Sequence, residues 1–210
     1  MKKANFHYAG GSCVEGRHRR QNVMTIDASS HAPASVNGPL HIDFSPYPGG
    51  GRIGLVHCPG RTGRDSRGRD WARDLKADLA AIRASGASTL ITLLEAQEFA
   101  VYGVETLPER VADAGLGWFH WPIRDMAVPS EEVQARIASE GRALSARLHA
   151  GETIVIHCAA GLGRSGMVAA QWLVRAGLSP DAAIAQVRAA RPGTIETEAQ
   201  EDAISAVSRA

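Results

Sequence analysis

A chain of 210 residues, 44% of them hydrophobic, is long enough to bury one substantial core and short for two. Its 23 basic and 22 acidic side chains leave a formal charge of +1, which argues against a nucleic-acid partner or a polybasic membrane-surface protein. No apolar run approaches the ~20 residues that span a bilayer, and three cysteines, one of which the chemistry below needs reduced, favour a cytoplasmic location.

Residues Met1 to Gly38 mix glycine, serine, proline, histidine and arginine with no sustained period, so a flexible extension is expected there, followed by one catalytic domain over 39–210. The extension lacks the apolar core of a signal peptide. Cys13 lies within it without an evident function, and Met24 is an alternative start. Ile53 to Val56 reads as the first strand. Arg61 to Arg69 reads as a polar loop whose Arg61, Arg64, Arg67 and Arg69 are either solvated or a dock for an anionic substrate. From Asp70 to Ser85 the spacing of Trp71, Leu75, Leu79 and Ile82 predicts a helix stopped by Gly86.

Thr89 to Leu94 then reads as a buried strand, Thr106 to Ala114 as a short helix and Trp118 to Trp121 as another strand. Ser130 to Ala150 opens with Ser-Glu-Glu and carries Val133, Ile137, Leu144 and Leu148 at helical spacing. Thr153 to His157 is the next strand and Met167 to Arg175 the helix after it. Helices over Pro180 to Ala190 and Glu198 to Val207 complete the chain. This alternation predicts an α/β fold with a central, mostly parallel sheet and helices on both faces, Trp71 and Trp172 packing in the core.

The most informative stretch joins that last strand to its helix: His157-Cys158-Ala159-Ala160-Gly161-Leu162-Gly163-Arg164-Ser165-Gly166. Unpaired N–H groups at a helix start and a glycine-bearing turn form an anion-binding nest, so Ala159, Ala160, Gly161, Leu162 and Gly163 present amides to a phosphate and Arg164 adds a bidentate contact. Helix terminus, amides and arginine all stabilise negative sulfur, which makes Cys158 the candidate nucleophile. Ser165 is placed to hydrogen-bond the departing sulfur. His157 reads as a brace of the loop rather than a base.

Such chemistry needs a carboxylic acid from another segment to protonate the leaving oxygen. Asp125 is the candidate, because it follows a strand and opens a polar loop bounded by Pro122 and Pro129. Glu95 and Asp113 are weaker rivals beside predicted helices.

A second cysteine imitates the first. His57-Cys58-Pro59-Gly60-Arg61-Thr62-Gly63-Arg64 has the same cysteine-to-arginine spacing, yet Pro59 lacks an N–H, Arg61 stands where the other loop has Gly161, and Asp65 replaces the hydroxyl. Cys58 is therefore expected to end the first strand. Zinc spacing is absent from the two His-Cys pairs, so neither metal nor cofactor is expected.

The string HCAAGLGRSG resembles the signature loop of the cysteine-dependent protein phosphatases, nearest the kinase-associated phosphatase branch of the dual-specificity enzymes. GLVHCPG (from Gly54), WPIRDMAVP (from Trp121) and RPGTIETEAQ (from Arg191) agree with that family in order and spacing. The resemblance implies a protein-tyrosine-phosphatase-like fold, a phosphorylated protein or peptide as substrate, a cysteinyl-phosphate intermediate and Asp125 as acid. It also implies that Gln200 helps place the hydrolytic water, although Gln200 reads equally as a helix-surface residue. Relatives pair the nucleophile with a cysteine where this chain has Thr92 to Glu95; none stands there, and a bond between Cys58 and Cys158 is left open. Two other functions remain: a catalytically weak phosphate-binding module, and hydrolysis of a non-protein phosphomonoester such as a phosphoinositide, which the neutral Ala159, Ala160 and Leu162 disfavour. Oligomeric state is not legible.

Overall fold

The structure, a computed structural model, describes residues 38–65 and 68–207. The N-terminal extension short of Gly38, with Cys13 and Met24, lies outside the described residues, as does Arg67.

Strand β1 (Asp43–Pro46) pairs antiparallel with β2 (Arg52–Val56) through a tight turn in which the Tyr47 N–H donates to the Gly51 carbonyl at 2.8 Å. A two-stranded hairpin follows, β3 (Thr62–Arg64) with β4 (Asp70–Ala72). Helix α1 (Leu75–Ala84) leads to β5 (Ala87–Thr92), then to α2 (Ala96–Tyr102), α3 (Leu107–Asp113) and β6 (Gly117–His120). After α4 (Glu131–His149) come β7 (Thr153–His157), α5 (Gly163–Arg175), α6 (Pro180–Ala190) and α7 (Glu198–Ser205). The five-stranded sheet runs β1-β2-β7-β5-β6, parallel throughout except for β1. Among the described residues no helix is long and apolar enough to cross a membrane.

Side-chain alternation along the buried strands sorts the core into two layers. Ile53, Leu55, Ile91, Ile154 and Ile156 face Leu144, Leu148, Val168 and Trp172 of α4 and α5, while Leu90 and Val155 face Leu79, Ile82 and Val111 of α1 and α3. A sheet covered on both faces explains why its strands read as continuous apolar runs. Four helix starts have a side-chain cap: Asp74 accepts from the Ala77 N–H at 2.9 Å, Ser130 from Val133 at 3.3 Å, Ser179 from Ala182 at 3.2 Å and Thr197 from Gln200 at 3.2 Å.

Three expectations need correction. The first helix does not begin at Asp70: Asp70–Ala72 is the second arm of the hairpin, and the cap at Asp74 starts the helix at Leu75. Arg61 to Arg69 is accordingly no simple loop, because Thr62–Arg64 forms the other arm. Trp71 is not core. It stands half-buried on the hairpin, edge-on to His57 at 5.1 Å between ring centroids. Trp172 does pack in the core, T-shaped against Trp121 at 5.8 Å.

Candidate active site

The parallel register pairs Val56 with His157, so β2 and β7 end side by side and the chain turns at Cys158 over the carboxyl edge of the sheet. Helix α5 begins at Gly163, earlier than the sequence suggests, which puts Arg164 and Ser165 in its first turn. Leu162 offers no capping oxygen, leaving that turn's N–H groups to other partners. Gly161 has φ +71°, and a Cβ there would stand 2.3 Å from the Val56 carbonyl, so both backbone angle and space demand glycine.

The loop is pinned from outside by its carbonyls. Ala159 accepts from the Cys58 N–H at 3.1 Å and from Arg61 Nη1 at 3.3 Å, and Ala160 accepts from Arg191 Nη2 at 2.9 Å. A trans peptide directs C=O and N–H oppositely, so these anchors turn the N–H groups of Ala160 and Gly161 the other way. Arg191 is itself held by Asp43 at 2.5 Å.

Arg164 is 1% exposed. Its Nη1 donates to Glu98 at 2.6 Å and to the Ile123 carbonyl at 2.9 Å, and its Nη2 lies 3.0 Å from Glu98 and 2.9 Å from Asp125. Burial works against its charge, but the hydrogen bonds and charge of Glu98, with Cys158 and Asp125 nearby, more than offset this and raise the guanidinium above its ordinary value. Two buried polar atoms here, Arg164 Nε and Ser165 Oγ, have no partner among the described residues.

His157 is fully buried and braces the loop at Cys158. The Cys158 carbonyl, 3.2 Å from Nδ1, requires Nδ1–H to donate, so in the neutral ring Nε2 accepts from the Thr92 hydroxyl at 2.8 Å; Thr92 in turn accepts from Trp118 Nε1 at 2.9 Å. Burial pushes the imidazole down to about 3, keeping it neutral. His57 is likewise lowered by burial, to about 4.

Cys158 opens on a cleft of about 410 Å³ whose walls include Asp125 and Met126, the hairpin residues Asp65, Arg69 and Trp71, and Arg61, Tyr102, Arg191 and Glu196. Asp125 is largely exposed on its loop. Two non-glycine residues bordering the site take left-handed angles, Met126 (φ 59°) beside Asp125 and the β-branched Ile195 (φ 61°) beside Glu196. Gln200 links the two segments: its Oε1 accepts from the Glu196 N–H at 2.9 Å and its Nε2 donates to the Ala127 carbonyl at 3.4 Å.

Cys158 and Asp125 thus border one cleft, and Arg164 bonds Asp125. Gln200 is fully buried rather than on a helix surface, and a Cβ at Gly163 would stand 3.1 Å from its amide. Gly163 itself departs from the pattern of free loop amides, because its N–H donates to Glu196 Oε2 at 2.8 Å. The rivals are placed elsewhere: Glu95 caps α2 and Asp113 pairs with Arg110 on the surface. Cys58 is a buried free thiol pushed upward by desolvation, which does not make a nucleophile; Cys158 is also a free thiol. Sequence reasoning missed Glu98 and Glu196. Glu98 carried a faint signal, lying three residues after Glu95, and its carboxylate accepts the Glu95 N–H at 2.8 Å as in a capping box. The solvated alternative for the basic cluster fails at Arg61, which is buried and lines the cleft.

A family model described as "Polymorphic toxin system, DSP-PTPase phosphatase" matches residues 66–178, a span holding Asp125, Cys158 and Arg164. Protein tyrosine phosphatase domain-containing protein 1 of Bos taurus is 36% identical over 99 residues, 47% of this chain and 12% of that protein's length; its Danio rerio counterpart is 36% identical over 94 residues, 44% of this chain and 13% of the relative. The matched segment therefore spans about an eighth of these curated relatives. Among solved structures, kinase associated phosphatase with its catalytic-site cysteine replaced by serine superposes with a TM-score of 0.69 at 26% identity, over 79% of this chain and 92% of that one. Tk-PTP in its active form gives 0.55 at 28% identity, over 73% and 89%. Arg61, Arg191, Glu196 and Gln200 all fall outside the family match. With more than half its length inside that match, the chain belongs to the polymorphic toxin system DSP-PTPase phosphatase family.

Proposed function

We propose that this chain hydrolyses phosphomonoesters of phosphorylated protein or peptide through a cysteinyl-phosphate intermediate. The Cys158 thiolate attacks phosphorus, a P–S bond forms as the ester P–O bond breaks, and Asp125 gives its proton to the leaving oxygen. Water then attacks the phosphorus, Asp125 takes the proton back, and sulfur leaves as thiolate with Ser165 hydrogen-bonded to it. Arg164 and the loop amides from Ala159 to Arg164, apart from that of Gly163, which is taken by Glu196, hold the phosphoryl oxygens, and Gln200 positions the segment from which water arrives. A bound phosphoryl oxygen competes with Asp125 for Arg164 Nη2, so binding frees the carboxyl group for its acid role. The observation that carries this reading is that Cys158 and Asp125 line one cleft and Arg164 bonds Asp125, with Arg164 Nε and Ser165 Oγ buried and unpartnered among the described residues.

The four shared motif segments and the likeness to kinase associated phosphatase support a place near that branch. Cys158→Ser should abolish turnover of an aryl phosphate while vanadate still binds. Asp125→Asn should slow esters with poor leaving groups far more than activated ones. Full activity of the serine variant, or an equal loss across leaving groups, would overturn the assignment.

A further inference from the structure

Three arginines of the described residues are more than nine-tenths buried: Arg61, Arg73 and Arg164. Arg73 holds Asp78 through two bonds of 2.7 and 2.8 Å, and Arg164 holds Glu98. The exposed or half-buried arginines of the cleft are also paired, Arg69 with Asp65 at 2.9 Å and Arg191 with Asp43. Arg61, 7% exposed, has no carboxylate partner among the described residues.

A guanidinium does not lose its proton, so burying one without a counter-charge is unfavourable unless something else offsets the cost. Part of that offset is visible. The Arg61 guanidinium carbon lies 4.6 Å from the ring centre of Tyr102 and 5.0 Å from that of Trp71, where the negative faces of the rings favour a cation. Its Nη1 donates to the Ala159 carbonyl at 3.3 Å, whereas its Nε is buried with no partner. The residue lines the same cleft as Cys158. Because Ala159 follows the nucleophile directly, this charge sits beside the phosphate loop rather than within it.

We infer that the substrate carries a second anionic group next to the phosphomonoester that is cleaved, a further phosphate or a carboxylate of the same peptide, and that Arg61 receives it. This rests on the hydrolase reading above. Asp65, which lines the same cleft, does not neutralise the position, because its carboxylate is held by Arg69 and by the Trp71 indole N–H at 3.0 Å.

The test compares kcat/KM of the full chain on three phosphotyrosine peptides that differ only beside the phosphotyrosine: neutral neighbours, glutamates, or a second phosphorylated residue. A charge-assisted hydrogen bond in a partly dry cleft predicts a preference of roughly tenfold or more for a peptide with a second anion. Whether the glutamate or the phosphate peptide leads identifies the source of the anion. Arg61→Gln should bring the ratio near one and Arg61→Lys should keep part of it, and a ratio taken within one protein cancels general damage to the loop. Equal rates on all three peptides in the unmodified protein overturn the inference whether or not the variants fold, and so does an undiminished preference in Arg61→Gln. Absence of turnover on every peptide and on p-nitrophenyl phosphate would instead sink the hydrolase reading.

Discussion

Mild acid should destabilise this protein through its buried imidazoles. His157 has both ring nitrogens committed in the neutral state, Nδ1–H to the Cys158 carbonyl and Nε2 to the Thr92 hydroxyl, and no exposed surface. In the unfolded chain the ring takes a proton near 6.5, whereas burial delays this in the fold to about 3. Between those values the unfolded state binds more protons, so stability falls as pH falls, by about 1.4 kcal/mol per unit. Moving from about pH 6.5 to about pH 5 therefore removes ~2 kcal/mol through His157. His57, lowered to about 4, acts in the same direction. The window lies mostly above the ordinary carboxylate range, which limits the share of aspartate and glutamate titration in the signal. Urea unfolding followed by the fluorescence of the four tryptophans measures the change. His157→Gln, whose amide can donate to Cys158 and accept from Thr92, should lose about half of that pH dependence, the other half staying with His57. A wild-type midpoint that does not move between the two pH values, or a glutamine variant that loses as much as wild type, would refute the reasoning.

Gly161→Ala places a methyl 2.3 Å from the Val56 carbonyl at a positive φ, so the loop must shift; a fall in kcat/KM of at least ~100-fold is expected, since a displacement of about 1 Å at a reacting geometry has that effect. Steady-state kinetics on an aryl phosphate checks it. Glu98→Ala leaves the Arg164 guanidinium buried without its bidentate partner and should destabilise the fold by ~3 kcal/mol, read as a lower urea midpoint at unchanged slope. Thr92→Val breaks the relay from Trp118 to His157 and should cost about 1–3 kcal/mol by the same measurement, because the imidazole nitrogen is left buried without a donor.

What the sequence made legible follows from how much of each signal is local. The strand ending at His157, the amphipathic α4 and the capped α6 carry their period and their stop signals within their own residues. The hairpin did not, because Trp71 stands four residues before Leu75 and so continues a helical spacing that Asp74 interrupts. Helix α2 escaped because it has seven residues and Phe99 as its one buried hydrophobe. Strand β1 escaped because Asp-Phe-Ser-Pro shows no run of apolar residues and owes its place to antiparallel pairing with β2. At the site, Cys158, Arg164 and Ser165 were readable because one loop holds them together. Glu98, Arg61 and Glu196 act across 66, 98 and 33 residues of chain, and no local pattern announces such contacts.

The five contacts of Arg164 also settle when its freedom is lost. An arginine side chain carries about 2 kcal/mol of rotamer entropy, and here Glu98, Asp125 and the carbonyls of Leu93 and Ile123 immobilise it before any substrate arrives. A phosphate meeting this guanidinium does not have to order it, which amounts to roughly thirtyfold in affinity over a freely rotating arginine in the same place.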